Sequence, residues 1–172
     1  MFFTLEKLER NTKQLKDLRY RERMEIPSFD ASTPEEEPVG KRPESVVYTG
    51  TLKKGDFWIG RGTYLWIRQS VEIPAEWVGK KIAGLFNMGK TGEGLNSGFE
   101  GLIYVNGSPY CETGSYHEEV IFPSELAGTK VELAIRLWAG LEGGGVPTQQ
   151  THQFKQAELA VLDEVADDFY YS

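Results

Sequence analysis

Gly101-Leu102-Ile103-Tyr104-Val105-Asn106-Gly107-Ser108 is the stretch that decides the fold class. A run rich in aliphatic and aromatic residues ends on Asn-Gly. That dipeptide supplies both positive-φ positions of a two-residue hairpin turn. Working outward, runs of the same kind recur. Val46-Val47-Tyr48 opens the series, and in Tyr64–Ile73 the residues Leu65, Ile67, Val71 and Ile73 partly alternate. Ile82–Met88, Glu118–Phe122, Val131–Trp138 and Ala157–Leu162 follow, bounded by Gly, Pro, Asn or Ser. Of the 19 glycines, 13 lie between Gly84 and Gly145, where loops must link many strands. Short strands without long intervening helices predict an all-β chain: an antiparallel jelly-roll β-sandwich over residues 46–165.

The chain before residue 46 reads differently. Residues 1–20 are predicted as one amphipathic N-terminal helix, with Leu5, Leu8, Leu15 and Leu18 at helical spacing among charged residues. Residues 21–45 hold Pro27, Pro34, Pro38 and Pro43 in a polar, acidic stretch and are expected to be an extended linker. Residues 166–172, ending in Phe169-Tyr170-Tyr171-Ser172, read as the start of a connection to a further domain.

Composition narrows the function. Nineteen basic against 26 acidic residues give a net charge of −7, which argues against a nucleic-acid partner. No apolar run approaches the roughly 20 residues of a membrane-spanning helix. The N-terminus lacks the basic-then-apolar order of a signal peptide, so the expected location is cytoplasmic, with no membrane partner. In that setting the sequon Asn106-Gly107-Ser108 is only a turn. The single cysteine, Cys111, excludes an internal disulfide and a cysteine-rich zinc site.

Several motifs carry candidate chemistry. Gly84-Leu85-Phe86-Asn87-Met88-Gly89-Lys90-Thr91 matches the phosphate-loop pattern, but its apolar residues extend a strand and a glycine-rich segment follows where a helix is required. His117 and His152 stand 35 residues apart without a second ligand at zinc-binding spacing. A glycosidase needs two carboxyl groups about 5–10 Å apart, and sequence does not bring Asp56, Glu100 and Glu142 together. Trp58, Trp77, Glu100, Tyr110 and Tyr116 are candidate carbohydrate contacts, whereas Trp66 and Trp138, inside apolar strands, are expected to pack in the core. Leu141, Glu142, Gly143, Gly144 and Gly145 follow a strand in a glycine-rich loop, a candidate docking or site-edge segment.

Tyr64-Leu65-Trp66-Ile67-Arg68 through Trp77-x-Gly79-Lys80 resembles the opening strands of galactose-binding-like jelly rolls appended to large glycosidases, and Tyr104-Val105-Asn106-Gly107 looks like their shared hairpin. An ordered set is more particular: Ser97–Leu102, His117–Val120, Leu137–Gly145 and Ala157–Asp163, with the Met1–Leu8 helix and the Asp167–Tyr171 tail. It is similar to the N-terminal region of bacterial α-mannosidases of glycoside hydrolase family 38. The resemblance implies a non-catalytic accessory domain that packs on a catalytic domain of the same polypeptide and shapes its edge. That catalytic domain would hydrolyse terminal α-mannosides with retention, using an aspartate nucleophile and zinc or a similar divalent cation. No position here matches those motifs, so no catalytic residue, metal ligand or cofactor is assigned to this chain. The alternative is a stand-alone carbohydrate-binding module for mannose-containing oligosaccharides. A homo-oligomer is a further expected partnership.

Overall fold

A computed structural model describes residues 4–36, 40–89, 99–141 and 147–172. The chain begins with helix α1 (Thr4–Leu18). Its Leu, Lys, Glu and Gln residues are strong helix formers, and Glu6 in the first turn and Lys16 in the last complement the helix dipole. Strands β1 (Tyr20–Glu25), β2 (Ser28–Ser32), β3 (Tyr48–Lys53), β4 (Phe57–Gly60), β5 (Tyr64–Glu72) and β6 (Ile82–Asn87) follow. The second half holds β7 (Glu100–Val105), β8 (Ser108–Gly114), β9 (Glu119–Phe122), β10 (Lys130–Trp138), β11 (Gln150–Gln153) and β12 (Gln156–Leu162). Helix α2 (Glu164–Tyr171) closes the described chain.

The strands form an all-β antiparallel sandwich. One sheet runs β1-β12-β6-β9, the other β3-β2-β5-β10-β7-β8, and β4 and β11 make a small two-stranded sheet. From β5 onward the chain passes repeatedly between the two large sheets, as in jelly rolls. Ile67, Ile103, Leu133 and Ile135 of the six-stranded sheet meet Ile82, Phe86, Leu159 and Val161 of the four-stranded one in a single core. Period-two alternation produces this facing. The expected hairpin stands at β7–β8, where Asn106 and Gly107 both have positive φ, +50° and +80°.

Residues 21–45 are not simply a linker. They contribute most of β1 and all of β2, so the sandwich begins at Tyr20, well before residue 46. The polar sequence hid β1 because it is an edge strand. It pairs only with β12, and exposed Arg21 and Arg23 reach Asp163, just after β12, and Glu158 within it. A register shift between Arg21 and Met24, with Glu22 at φ +51°, marks a bulge that also breaks the alternation. Pro27 sits where the chain leaves one sheet for the other and needs no ladder donor. Of residues 166–172, all but the last belong to α2. Its N-cap is Asp163, whose carboxylate accepts from the Ala166 N–H at 3.0 Å.

Trp66 and Trp138 do not face the main core. Both lie on the outer face of the six-stranded sheet, where Trp66 is buried beside Val46, Tyr104 and Ala134 and Trp138 is half-buried.

Candidate functional site

α1 and α2 rise side by side from the same end of the four-stranded sheet, because β1 and β12 pair with Tyr20 opposite Leu162. Neither helix has a buried residue. Leu5, Leu8 and Leu18 of α1 are 76%, 55% and 60% exposed, and Val165 and Phe169 of α2 are 80% and 67% exposed. Two apolar grooves flank the pair. One, of about 390 Å³, is edged by Leu5, Leu8 and Tyr170; the other, of about 520 Å³, by Leu15, Leu18, Val165 and Phe169. An amphipathic helix buries its apolar stripe when it is stably packed. Here that stripe faces outward, together with that of its neighbour.

The base of the pair is tied down by Arg19, which is 3% exposed. Its Nη2 lies 3.0 Å from the Glu119 carboxylate and its Nε 2.5 Å from that of Asp167. The guanidinium also lies about 5 Å from the ring centroids of Tyr20, Tyr170 and Tyr171. Burial alone would lower its pKa. The hydrogen bond to Asp167 and the charge of Glu119 outweigh that, and the net shift is upward. The Tyr20 hydroxyl donates to Glu119 in turn. An open cleft of about 760 Å³ surrounds this knot, with Lys13, Lys16, Tyr116 and His117 among its lining residues.

The sequence-predicted residues fall in several places. Leu141 is 60% exposed and touches the turn at Gly62, while Glu142, Gly143, Gly144 and Gly145 lie outside the described residues. Trp58 and Trp77, expected as carbohydrate contacts, are 5% and 2% exposed and belong to the main core, so neither offers a ring face to a ligand. The Trp58 indole donates to the Met88 carbonyl at 2.9 Å and stacks on His152, opposite it in the β4–β11 pair. Tyr110 is exposed but engaged: its ring stacks on Phe122 and its hydroxyl donates to the Ile121 carbonyl at 2.6 Å. Tyr116 is exposed at the rim of the Arg19 cleft. Glu100 is exposed on the outer face of the six-stranded sheet. The described ones among these residues therefore form no single site.

Of the phosphate-loop match, Gly84 to Asn87 lie inside β6, paired with β12 throughout and with β9 as far as Leu85, while Lys90 and Thr91 lie outside the described residues. Among the described residues, no group of three or more His, Cys, Asp or Glu is placed to hold a metal ion, and no helix is long and apolar enough to cross a membrane. Sequence reasoning missed a groove of about 250 Å³ lined by Tyr64, Glu100, Gly101, Arg136 and Trp138. Alternation along each strand puts these side chains on the outer face, but only the strand register makes them neighbours.

No protein-family model matches the chain, and no curated protein matches it. Solved structures do. A β-glucuronidase from Ruminococcus gnavus in its apo form aligns with 84% of this chain at 13% identity and a TM-score of 0.53. A β-glucuronidase from Faecalibacterium prausnitzii aligns with 84% at 10% identity and a TM-score of 0.55. This chain covers only 30% and 32% of those two chains. What is shared is the fold: this chain is built like a β-sandwich portion of much longer glycosidase polypeptides.

Proposed function

We propose that this chain is a non-catalytic accessory domain of a glycosidase, and that it docks on a catalytic domain through the outward apolar face of α1 and α2. The observation that carries the reading is the paired exposure of Leu5, Leu8, Leu18, Val165 and Phe169 on helices without a buried residue. Exposed apolar surface on this scale, here divided between the two grooves that flank the helix pair, marks interaction sites. The likeness to a minor part of two β-glucuronidases supports a glycosidase setting. The ordered motifs shared with family 38 favour an α-mannosidase, with hydrolysis of terminal α-mannosides by the catalytic domain and a divalent cation held there. The segment beginning at Leu141 adds a second contact at the edge of that domain.

The test is reconstitution. An α-mannosidase of family 38 deprived of its N-terminal sandwich is titrated with this chain, beside a β-glucuronidase deprived of its own. Saturable binding to the mannosidase, abolished in the Leu8→Asp/Phe169→Asp double variant, is the expected result. Preference for the glucuronidase would overturn the mannosidase assignment, and binding to neither would overturn the accessory role. Sedimentation of the chain alone reads the other occupant of the face, a second copy: dimers abolished by the double variant would replace the docking reading. Turnover of an aryl α-mannoside by the isolated chain with zinc would refute the non-catalytic assignment.

A further inference from the structure

The outer face of the six-stranded sheet carries a second set of groups that the docking reading does not use. In the β5–β10–β7 ladder, Tyr64 stands opposite Trp138, and Trp138 opposite Glu100. Directly opposed side chains on neighbouring strands lie within about 5 Å at Cβ, so two aromatic rings and a carboxylate share one row. Arg136, two residues back on β10, lies on the same face with its guanidinium 5.2 Å from the Tyr64 ring centroid. Trp138, Tyr64 and Arg136 are half-buried and Glu100 is exposed. Among the described residues neither the Arg136 guanidinium nor the Glu100 carboxylate has an ion-pair partner.

We infer that this groove is a binding subsite for one neutral hexopyranose ring. The volume of about 250 Å³ is below the range of about 300–1,000 Å³ usual for drug-sized ligands and suits a single ring. Aromatic side chains accept the C–H face of a pyranose while its rim hydroxyls remain to be paired. Sugar hydroxyls both donate and accept. Glu100 accepts from one hydroxyl and Arg136 donates to its neighbour, so each charged group finds a partner it lacks among the described residues. One carboxylate against one guanidinium leaves no surplus positive charge, and a uronate would bring a second carboxylate toward Glu100. The subsite is therefore selective for uncharged rings.

The supports are rigid. β10 is an interior strand paired along its length, and the Tyr64 backbone exchanges two hydrogen bonds with Glu35, at 2.8 and 2.9 Å. The groove also lies on the sheet away from the helix pair, so its failure and a failure of docking are read separately.

Saturation-transfer NMR on the intact chain tests the inference with methyl α-mannopyranoside, methyl β-glucopyranoside and methyl β-glucuronide at millimolar concentration. Transfer to at least one neutral glycoside, stronger than to the glucuronide, is expected. Glu100→Gln and Arg136→Met should each weaken that binding about tenfold, the loss expected for one charge-assisted hydrogen bond, with unchanged thermal melting. Trp138→Leu should abolish it, while Tyr116→Ala, at the rim of the Arg19 cleft, should not. No transfer from any neutral glycoside would overturn the subsite. Stronger transfer from the glucuronide would overturn its selectivity. Binding unaffected by Glu100→Gln, Arg136→Met and Trp138→Leu alike would locate the sugar elsewhere and overturn the assignment as well.

Discussion

Arg19 concentrates more structural consequence than any other single side chain at the helix–sheet junction. It is buried, and two carboxylates and three tyrosine rings converge on it. Removing one partner of a buried pair costs about 3–5 kcal/mol, because the remaining charge keeps its desolvation without its counter-ion. Glu119 and Asp167 are 29% and 24% exposed, so water recovers part of this. Arg19→Ala should therefore cost about 3 kcal/mol in urea unfolding, with loss of helical ellipticity before the main transition as the helices detach. Cys111 makes a quieter case. Burial first, and the charge of Glu112 second, push its thiol from 9.0 up to about 11. Near neutral pH the thiolate population is roughly a hundredfold below that of an unperturbed cysteine, and alkylation by iodoacetamide should slow in proportion. The folded state favours the protonated thiol. This contribution to stability is therefore complete below pH 9.0 and is lost as pH rises toward about 11; denaturant titrations across that window should record the decline, and Cys111→Ala should flatten it.

At the scale of the element, α2 depends on its cap. A helix of 8 residues is too short to hold itself together, and Asp163 satisfies one of its unpaired amides while also meeting Arg21. Asp163→Ala should cost about 1 kcal/mol and accelerate amide exchange at Ala166 before any strand amide responds. The turn after β6 is held by a different constraint. Gly89 has φ +101°, and a Cβ there would stand 2.4 Å from the Gln153 carbonyl oxygen. Gly89→Ala therefore forces the turn after β6 away from Gln153 at the end of β11, and a loss of at least about 2 kcal/mol is expected in thermal or urea unfolding. The exposed apolar residues of α1 and α2 behave in the opposite way. Leu8→Asp and Phe169→Asp alter exposed positions and should leave unfolding within about 0.5 kcal/mol of the parent, which separates docking from stability.

For the whole molecule, the sandwich was legible in the strands that run as apolar or alternating stretches, such as β5, β6, β7, β10 and β12. Alternation in Tyr64–Glu72 and the Asn106-Gly107 turn sufficed to predict the antiparallel architecture, and the spacing of Leu5, Leu8 and Leu18 predicted the amphipathic helix. The edge strand β1 and the interior strand β2, both polar in sequence, were not legible. In β1 the charges answer to partners on β12 and beyond it, and no local pattern encodes them. Nor was the carbohydrate expectation at Trp58 and Trp77 well placed. Strand β4 and a short helical turn at Ala75–Trp77 carry both rings inward. The groove of Tyr64, Glu100, Arg136 and Trp138 draws on three strands widely separated along the chain, and only registration of the sheet assembles it.

The antiparallel pairing of β1 with β12 has a mechanical consequence. Tyr20 and Leu162 sit at the same end of that ladder, and both terminal helices leave from there. Tension applied through the two ends of the polypeptide would load the ladder one rung at a time, peeling β1 away like a zip rather than shearing all its bonds at once. Held between two anchored neighbours, the domain would yield at that edge under low force while the six-stranded sheet stayed whole.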